Sequence, residues 1–162
     1  MENDFLKDLK SLGVTARLKR LSDALSSQIK DLYKSQGVDI EPSWHLVFLL
    51  LKKNQAMTMS ELAEACRLSQ PAMTKMIARI RKKGYITIAG DSEDNRKKVL
   101  TLSIKAINLM PKFEHIWDAG QKSIRDILRS NKAFLQSVEA IEQELAEKSF
   151  TERALSHLTD KS

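Results

Sequence analysis

Between Met57 and Ser103 two short helical patterns are followed by a basic, strand-like ribbon. No other stretch limits the fold as tightly. Thr58 and Glu61 have the S/T-x-x-E spacing of a capping box, in which hydroxyl and carboxylate satisfy each other's free backbone donors at a helix start. A second start is written at Ser69-Gln70-Pro71, where a polar cap and an early proline suit the first helical turn. From there Met73, Met76, Ile77 and Ile80 fall at i, i+3, i+4 and i+7, a single buried stripe. Gly84 closes this helix, since glycine tolerates the left-handed conformation of a C-cap. Tyr85-Ile86-Thr87-Ile88 and Lys98-Val99-Leu100-Thr101-Leu102 are β-branched and apolar, with the turn-prone segment Ala89 to Asn95 between them. These two runs predict a β-hairpin with a long tip.

Helix, turn, basic helix and basic hairpin in that order make a winged helix-turn-helix. The side of the second helix away from the stripe carries Gln70, Thr74, Lys75, Ala78, Arg79 and Lys82. A helix that packs on one side and offers donors and positive charge on the other fits a DNA major groove. The chain holds 27 Lys+Arg against 21 Asp+Glu, a formal charge of +6. That excess favours a polyanionic partner. Its placement says more than its size, because Lys75, Arg79, Arg81, Lys82, Lys83, Arg96, Lys97 and Lys98 fall in one third of the sequence. A solvated basic surface is the plainer reading, and its coincidence with the helix-hairpin pattern argues against it.

The ordered set Ser60-Glu61-Leu62-Ala63, Leu68-Ser69-Gln70-Pro71, Lys83-Gly84-Tyr85-Ile86 and Asp94-x-Arg96, leading into Leu102-Ser103, resembles the MarR family of bacterial transcription regulators. The family's wing ends in D-x-R and a leucine-threonine pair, with a glycine soon after. Here Leu102-Ser103 is a conservative departure and Ala106 stands at the glycine; the serine can still cap the next helix. The resemblance implies a mainly α fold, a winged helix-turn-helix with a small β-hairpin wing and dimerising helices at both termini. It also implies a homodimer on a pseudo-palindromic site in double-stranded DNA. Repression would come from promoter occupancy, relieved by a small lipophilic or aromatic effector that alters the spacing of the two recognition helices. On this reading Ser69, Gln70, Thr74, Lys75 and Arg79 serve the recognition helix, with Gln70, Thr74 and Lys75 nearest base edges. Arg96 enters the minor groove oriented by Asp94, while Lys97 and Lys98 reach phosphates.

Outside this module the chain reads as helical. Phe5, Leu6, Leu9 and Leu12 form a short stripe interrupted at Gly13. From Val14 a longer one runs through Leu18, Leu21, Leu25, Ile29 and Leu32 towards a stop near Gly37. Pro42 is expected to open a third helix that carries Trp44, Val47, Phe48 and Leu51 inward. Ile104 to Ser130 reads as a long helix in which Pro111 should cause a kink or a break. Phe134, Val138, Ile141 and Leu145 mark another helix, and Phe150 to Leu158 continues or docks. The layout is one domain over 1–162, with a winged helix-turn-helix over 42–103 flanked by dimerisation helices in 1–36 and 104–162. The terminal stripes exceed what a winged helix needs for its own core, and twofold homodimers commonly absorb such a surplus.

No apolar run is long enough to cross a bilayer: Leu46 to Leu51 is flanked by His45 and Lys52-Lys53. The acidic start Met1-Glu2-Asn3-Asp4 is unlike a signal peptide, and one cysteine allows no internal disulfide. A cytoplasmic protein is expected. Cys66 reads as a small buried hydrophobe. His45, His115 and His157 share no metal-ligand spacing, and no cofactor is expected. Trp44, His45, Phe48, Phe113 and Trp117 are candidates to line the effector pocket that the family resemblance implies, although aromatic residues at helical spacing more often form core. None of the five glycines gives a G-x-G phosphate loop, and no catalytic set is marked locally. The rival to a DNA reader is a winged helix that binds protein or RNA without operator specificity. It would show more apolar residues on the outer face of the second helix, where only Ala72 and Ala78 qualify.

Overall fold

The computed structural model describes residues 4–90, 98–129 and 131–159. Eight α-helices occur among them, with one three-stranded antiparallel sheet. The chain forms two compact units, residues 1–117 and 118–162.

The first unit opens with α1, Phe5–Asp8, and a 3-10 turn, Lys10–Gly13. Gly13 is buried there, and a Cβ on it would meet the Leu6 carbonyl at 2.4 Å, so the position excludes a side chain. Helix α2 spans Val14–Ser35 and ends at Gln36, ahead of Gly37 with φ +64°. This is the stop the sequence predicted, made by a left-handed residue just past the helix. Helix α3, Trp44–Asn54, starts two residues after Pro42, which sits in the preceding turn rather than in the helix. The Pro42 carbonyl accepts from His45 Nδ1 at 2.6 Å, closing that turn.

Strand β1, Ala56–Thr58, leads into α4, Met59–Ala65. Both halves of the expected capping box are present: Thr58 Oγ1 accepts from the Glu61 amide, and Glu61 accepts from the Thr58 amide. Helix α5 follows at Gln70–Lys82, then β2 at Ile86–Gly90 and β3 at Lys98–Leu102. β3 is the central strand, pairing Leu102 to Lys98 with Ile86 to Gly90 and Thr101 to Val99 with Ala56 to Thr58. The hairpin matches the prediction. β1 does not follow from its own three residues.

Helix α6 runs from Ile104 to Ile127 without interruption at Pro111, so the expected break is absent. Pro111 is exposed and removes only the bond to the Ile107 carbonyl. Ile107 is itself exposed, so water can serve that carbonyl and the helix loses little. Ser103 caps α6, accepting from the Ala106 amide at 3.1 Å, and its hydroxyl donates to the Gly84 carbonyl at 2.7 Å. Ala106 is completely buried.

The core of this unit is a single cluster. Phe48 and Phe113 pack with Tyr85 at centroid distances of 5.5 to 5.9 Å, and Trp44 meets Tyr85 edge-on at 6.5 Å. Leu51, Leu62, Met73, Ile77, Ile80 and Leu100 close around them, all nearly inaccessible. Burying side chains of this size contributes roughly 1.5–3 kcal/mol each before entropy is counted. No polar or charged residue among those described is buried, so the core carries no unpaired group.

The second unit holds the end of α6 with α7, Phe134–Glu147, and α8, Phe150–Thr159. A second capping box, Ser149 with Glu152, starts α8: Ser149 accepts from the Glu152 amide at 3.2 Å and returns its own amide at 2.8 Å. Those hydrogen bonds hold the exposed Glu152 carboxyl below its ordinary range. No residue of α7 or α8 is buried.

Candidate nucleic-acid interface

Helix α5 carries the charged face. Its N-cap Ser69 accepts from the Ala72 amide at 3.4 Å, which leaves the hydroxyl hydrogen free to donate outward. Met73, Ile77 and Ile80 are buried and Met76 half-buried, so the stripe read from spacing is the packed face. At about 100° per residue, Lys75, Ala78 and Lys82 fall roughly opposite that stripe, while Thr74 and Arg79 flank it. Gln70 is exposed at the first helical position. The structure thus brings Thr74, Lys75 and Arg79 onto the solvent-facing side, whereas Gln70, on the same count, falls beside Ile77 and is exposed because it opens the helix. Lys82, on the outer face by the same spacing, is exposed there as well.

Arg79 is not isolated on this surface. Its guanidinium lies 3.6 Å from the Glu41 carboxylate, which also accepts from Lys30 Nζ on α2 at 2.9 Å. Next to it, Lys83 pairs with Asp39, and that partner holds the lysine ammonium above its ordinary range. The loop between α2 and α3 thereby sets two carboxylates against the C-terminal half of α5. Sequence reading missed this loop because its acids lie far along the chain from the cations they meet.

On the hairpin, Lys98 is exposed opposite Gly90, at the end of the described ladder. Thr87 and Thr101 join their hydroxyls across the strands at 2.7 Å. Asp94, Arg96 and Lys97 lie outside the described residues. Lys105 donates to the Lys83 carbonyl at 2.7 Å and stacks its ammonium 4.3 Å from the Tyr85 ring centroid, tying the end of α5 to α6.

The aromatic candidates divide. Trp44, Phe48 and Phe113 belong to the packed core. His45 and Trp117 are half-buried at its edge with ring centroids 6.1 Å apart, and Trp117 Nε1 donates to Tyr33 Oη at 3.0 Å. Cys66 is half-buried rather than enclosed, because it ends α4 where the wall of the core opens; burial pushes its thiol up. Among the described residues no group of His, Cys, Asp and Glu could hold a metal ion, and no helix is long and apolar enough to cross a membrane.

Residues 38–97, from within the loop before α3 to the hairpin, match the profile of the MarR family. Several solved structures share the fold. The transcriptional repressor CouR bound to a 23-mer DNA duplex has a TM-score of 0.67 at 19% identity, over 83% of this chain and 96% of that one. A mutant MarR from E. coli complexed with operator DNA has 0.66 at 15%, over 88% and 99%. NadR in complex with 4-hydroxyphenylacetate has 0.55 at 20%, over 83% and 93%. No curated protein sequence matches the chain.

Proposed function

We propose that this chain, a DNA-binding transcription regulator of the MarR family through its winged helix-turn-helix, works as a homodimer on a pseudo-palindromic operator. The observation that carries the dimer is exposed apolar surface at both ends of the chain. Leu18 and Leu21 on α2 are about half exposed, at 51% and 49%, as are Ile141 and Leu145 on α7, at 55% and 51%. Phe150, Leu155 and Leu158 add a third face. Single exposed leucines need no explanation, but stripes at helical spacing on helices with almost no buried residue do. A second copy covers such faces symmetrically and fixes the distance between two recognition helices.

Within each half-site, Gln70, Thr74 and Lys75 meet base edges, and Ser69, Arg79 and Lys98 meet phosphates. Asp94, Arg96 and Lys97 would form the wing's contact in the minor groove. Regulation is repression by promoter occupancy. An aromatic or lipophilic effector would relieve it by binding where His45 and Trp117 border the core.

Sedimentation of the full-length protein tests the dimer. It should run as twice its chain mass at micromolar concentration. A variant with Leu18→Glu and Leu21→Glu should run as a monomer and lose tight duplex binding. A wild-type monomer that binds DNA tightly would overturn the reading.

A further inference from the structure

The geometry points to Lys105 as a positioning residue for DNA reading, one that fixes the attitude of α5 from the start of α6. The inference rests on the proposed reading of bases by α5. Three consecutive backbone carbonyls just past α5 accept from residues 103 and 105. The Lys83 carbonyl accepts from Lys105 Nζ at 2.7 Å and the Gly84 carbonyl from the Ser103 hydroxyl at 2.7 Å. The Tyr85 carbonyl accepts from the Ser103 amide at 2.9 Å. Two earlier carbonyls are served by the chain leaving α5: the Tyr85 amide donates to Ile80 and the Gly84 amide to Arg81, a Schellman turn. Helices leave their last carbonyls without partners of their own, and Lys105 supplies a donor to the one at Lys83.

Charge and packing make Lys105 more than a cap. Its ammonium lies 4.3 Å from the centroid of the Tyr85 ring, and that ring is buried against Trp44, Phe48 and Phe113. A cation here also meets the partial negative charge at the C-terminus of α5. One side chain of α6 thus holds the end of α5 against an aromatic ring of the core. Along its length α5 packs through Met73, Ile77 and Ile80, and apolar burial is non-directional, so it resists tilting and rolling weakly. The lysine bond has direction and sits at one end, while base reading is placed towards the other. Thr74 lies about 14 Å along the helix from Lys83, so a tilt of about 5° at the anchored end moves it by about 1 Å, more than a hydrogen bond to a base edge tolerates. The Lys105 ammonium is engaged by the carbonyl and the ring, so it acts on DNA through α5 and not by contact.

Two duplexes separate positioning from contact. Full-length wild type and variants are titrated at several salt concentrations against a duplex selected by the wild type and against a scrambled one. Lys105→Met keeps an apolar stem beside Tyr85 and removes the charge and the donor. It should weaken binding to the selected duplex about tenfold, the worth of one base contact, and leave scrambled-duplex affinity and both salt slopes unchanged. Lys105→Arg can donate to the same carbonyl and stack on the same ring, so it should keep wild-type affinity. Equal weakening on both duplexes, with a slope flatter by about one unit, would make Lys105 a phosphate ligand and overturn the inference. Selected-duplex affinity unchanged by methionine, or lost with arginine as well, would also overturn it. Should methionine unfold the protein, Lys105→Gln at this exposed helix position carries the same expectations. A wild type that binds both duplexes alike would instead refute base reading by α5, and that result is visible before any variant is made.

Discussion

The Arg79 guanidinium and the Glu41 carboxylate face each other at 3.6 Å, with Lys30 holding the same carboxylate from the other side. An exposed pair at this distance is worth well under about 1 kcal/mol, so it can open at little cost when a phosphate approaches. Glu41 nevertheless places a negative charge where DNA would come closest to the C-terminal half of α5. Glu41→Gln should strengthen binding to non-specific duplex and steepen the log-log salt dependence by about one unit, as Arg79 becomes free to displace a counterion. Duplex titration at several salt concentrations measures this. An unchanged slope would place Arg79 outside the phosphate contacts.

We propose that bases are read by Lys75, exposed opposite the buried stripe, and by Gln70, exposed in the first turn of α5. A lysine donates to guanine and a glutamine pairs with adenine, each worth roughly 1–3 kcal/mol of discrimination in good geometry. Lys75→Ala should relax preference at particular positions of a selected motif while the thermal midpoint stays put. Recovery of an identical motif by the variant would move specificity to other residues.

Arg67 and Gln55 both hold positive φ, at +50° and +64°. A left-handed conformation costs a residue with a Cβ roughly 1–2 kcal/mol, and glycine gives back about half of that gain through its freer unfolded chain. Arg67→Gly should therefore stabilise the fold by about 0.5–1 kcal/mol, read as a raised urea midpoint with unchanged slope. A lowered midpoint would mean that the arginine side chain holds the turn through contacts worth more than the strain.

Both tyrosines of the chain are buried, and burial pushes each hydroxyl above its ordinary range. For Tyr33 the donation from Trp117 works against this, and for Tyr85 the nearby Asp39 adds to it. A phenol whose folded pKa is raised contributes stability that is fully present below its unfolded value. Above about pH 10 the unfolded chain releases the proton first, so stability falls as pH rises through the folded pKa. Phenolate absorbance should appear together with loss of the helical signal, above the ordinary tyrosine range. Titration near the ordinary value with the helices intact would contradict the packing described around Phe48 and Phe113.

The parts of the fold legible in the sequence are those fixed by short spacing. Thr58 with Glu61, Ser69 before Pro71, and the stripe from Met73 to Ile80 each depend on neighbours within two turns, so the sequence contains the whole cause. β1 was not legible because Ala56-Met57-Thr58 has no alternation of its own; its pairing partner Val99-Leu100-Thr101 makes it a strand. Pro111 misled because its cost depends on whether the Ile107 carbonyl can reach water, which is a property of the folded surface. On the candidate site, the outward face of α5 could be drawn from periodicity alone. The carboxylates of Asp39 and Glu41 that meet its end could not, since only the packing of α2 and α3 brings that loop there.

Selection from a random duplex pool by the full-length protein shows whether two copies read two half-sites of one duplex. An inverted repeat whose half-site centres lie about 10 bp apart, one helical turn, should be enriched. Enrichment of a single unrepeated half-site, or no enrichment over the starting pool, would contradict reading by two copies.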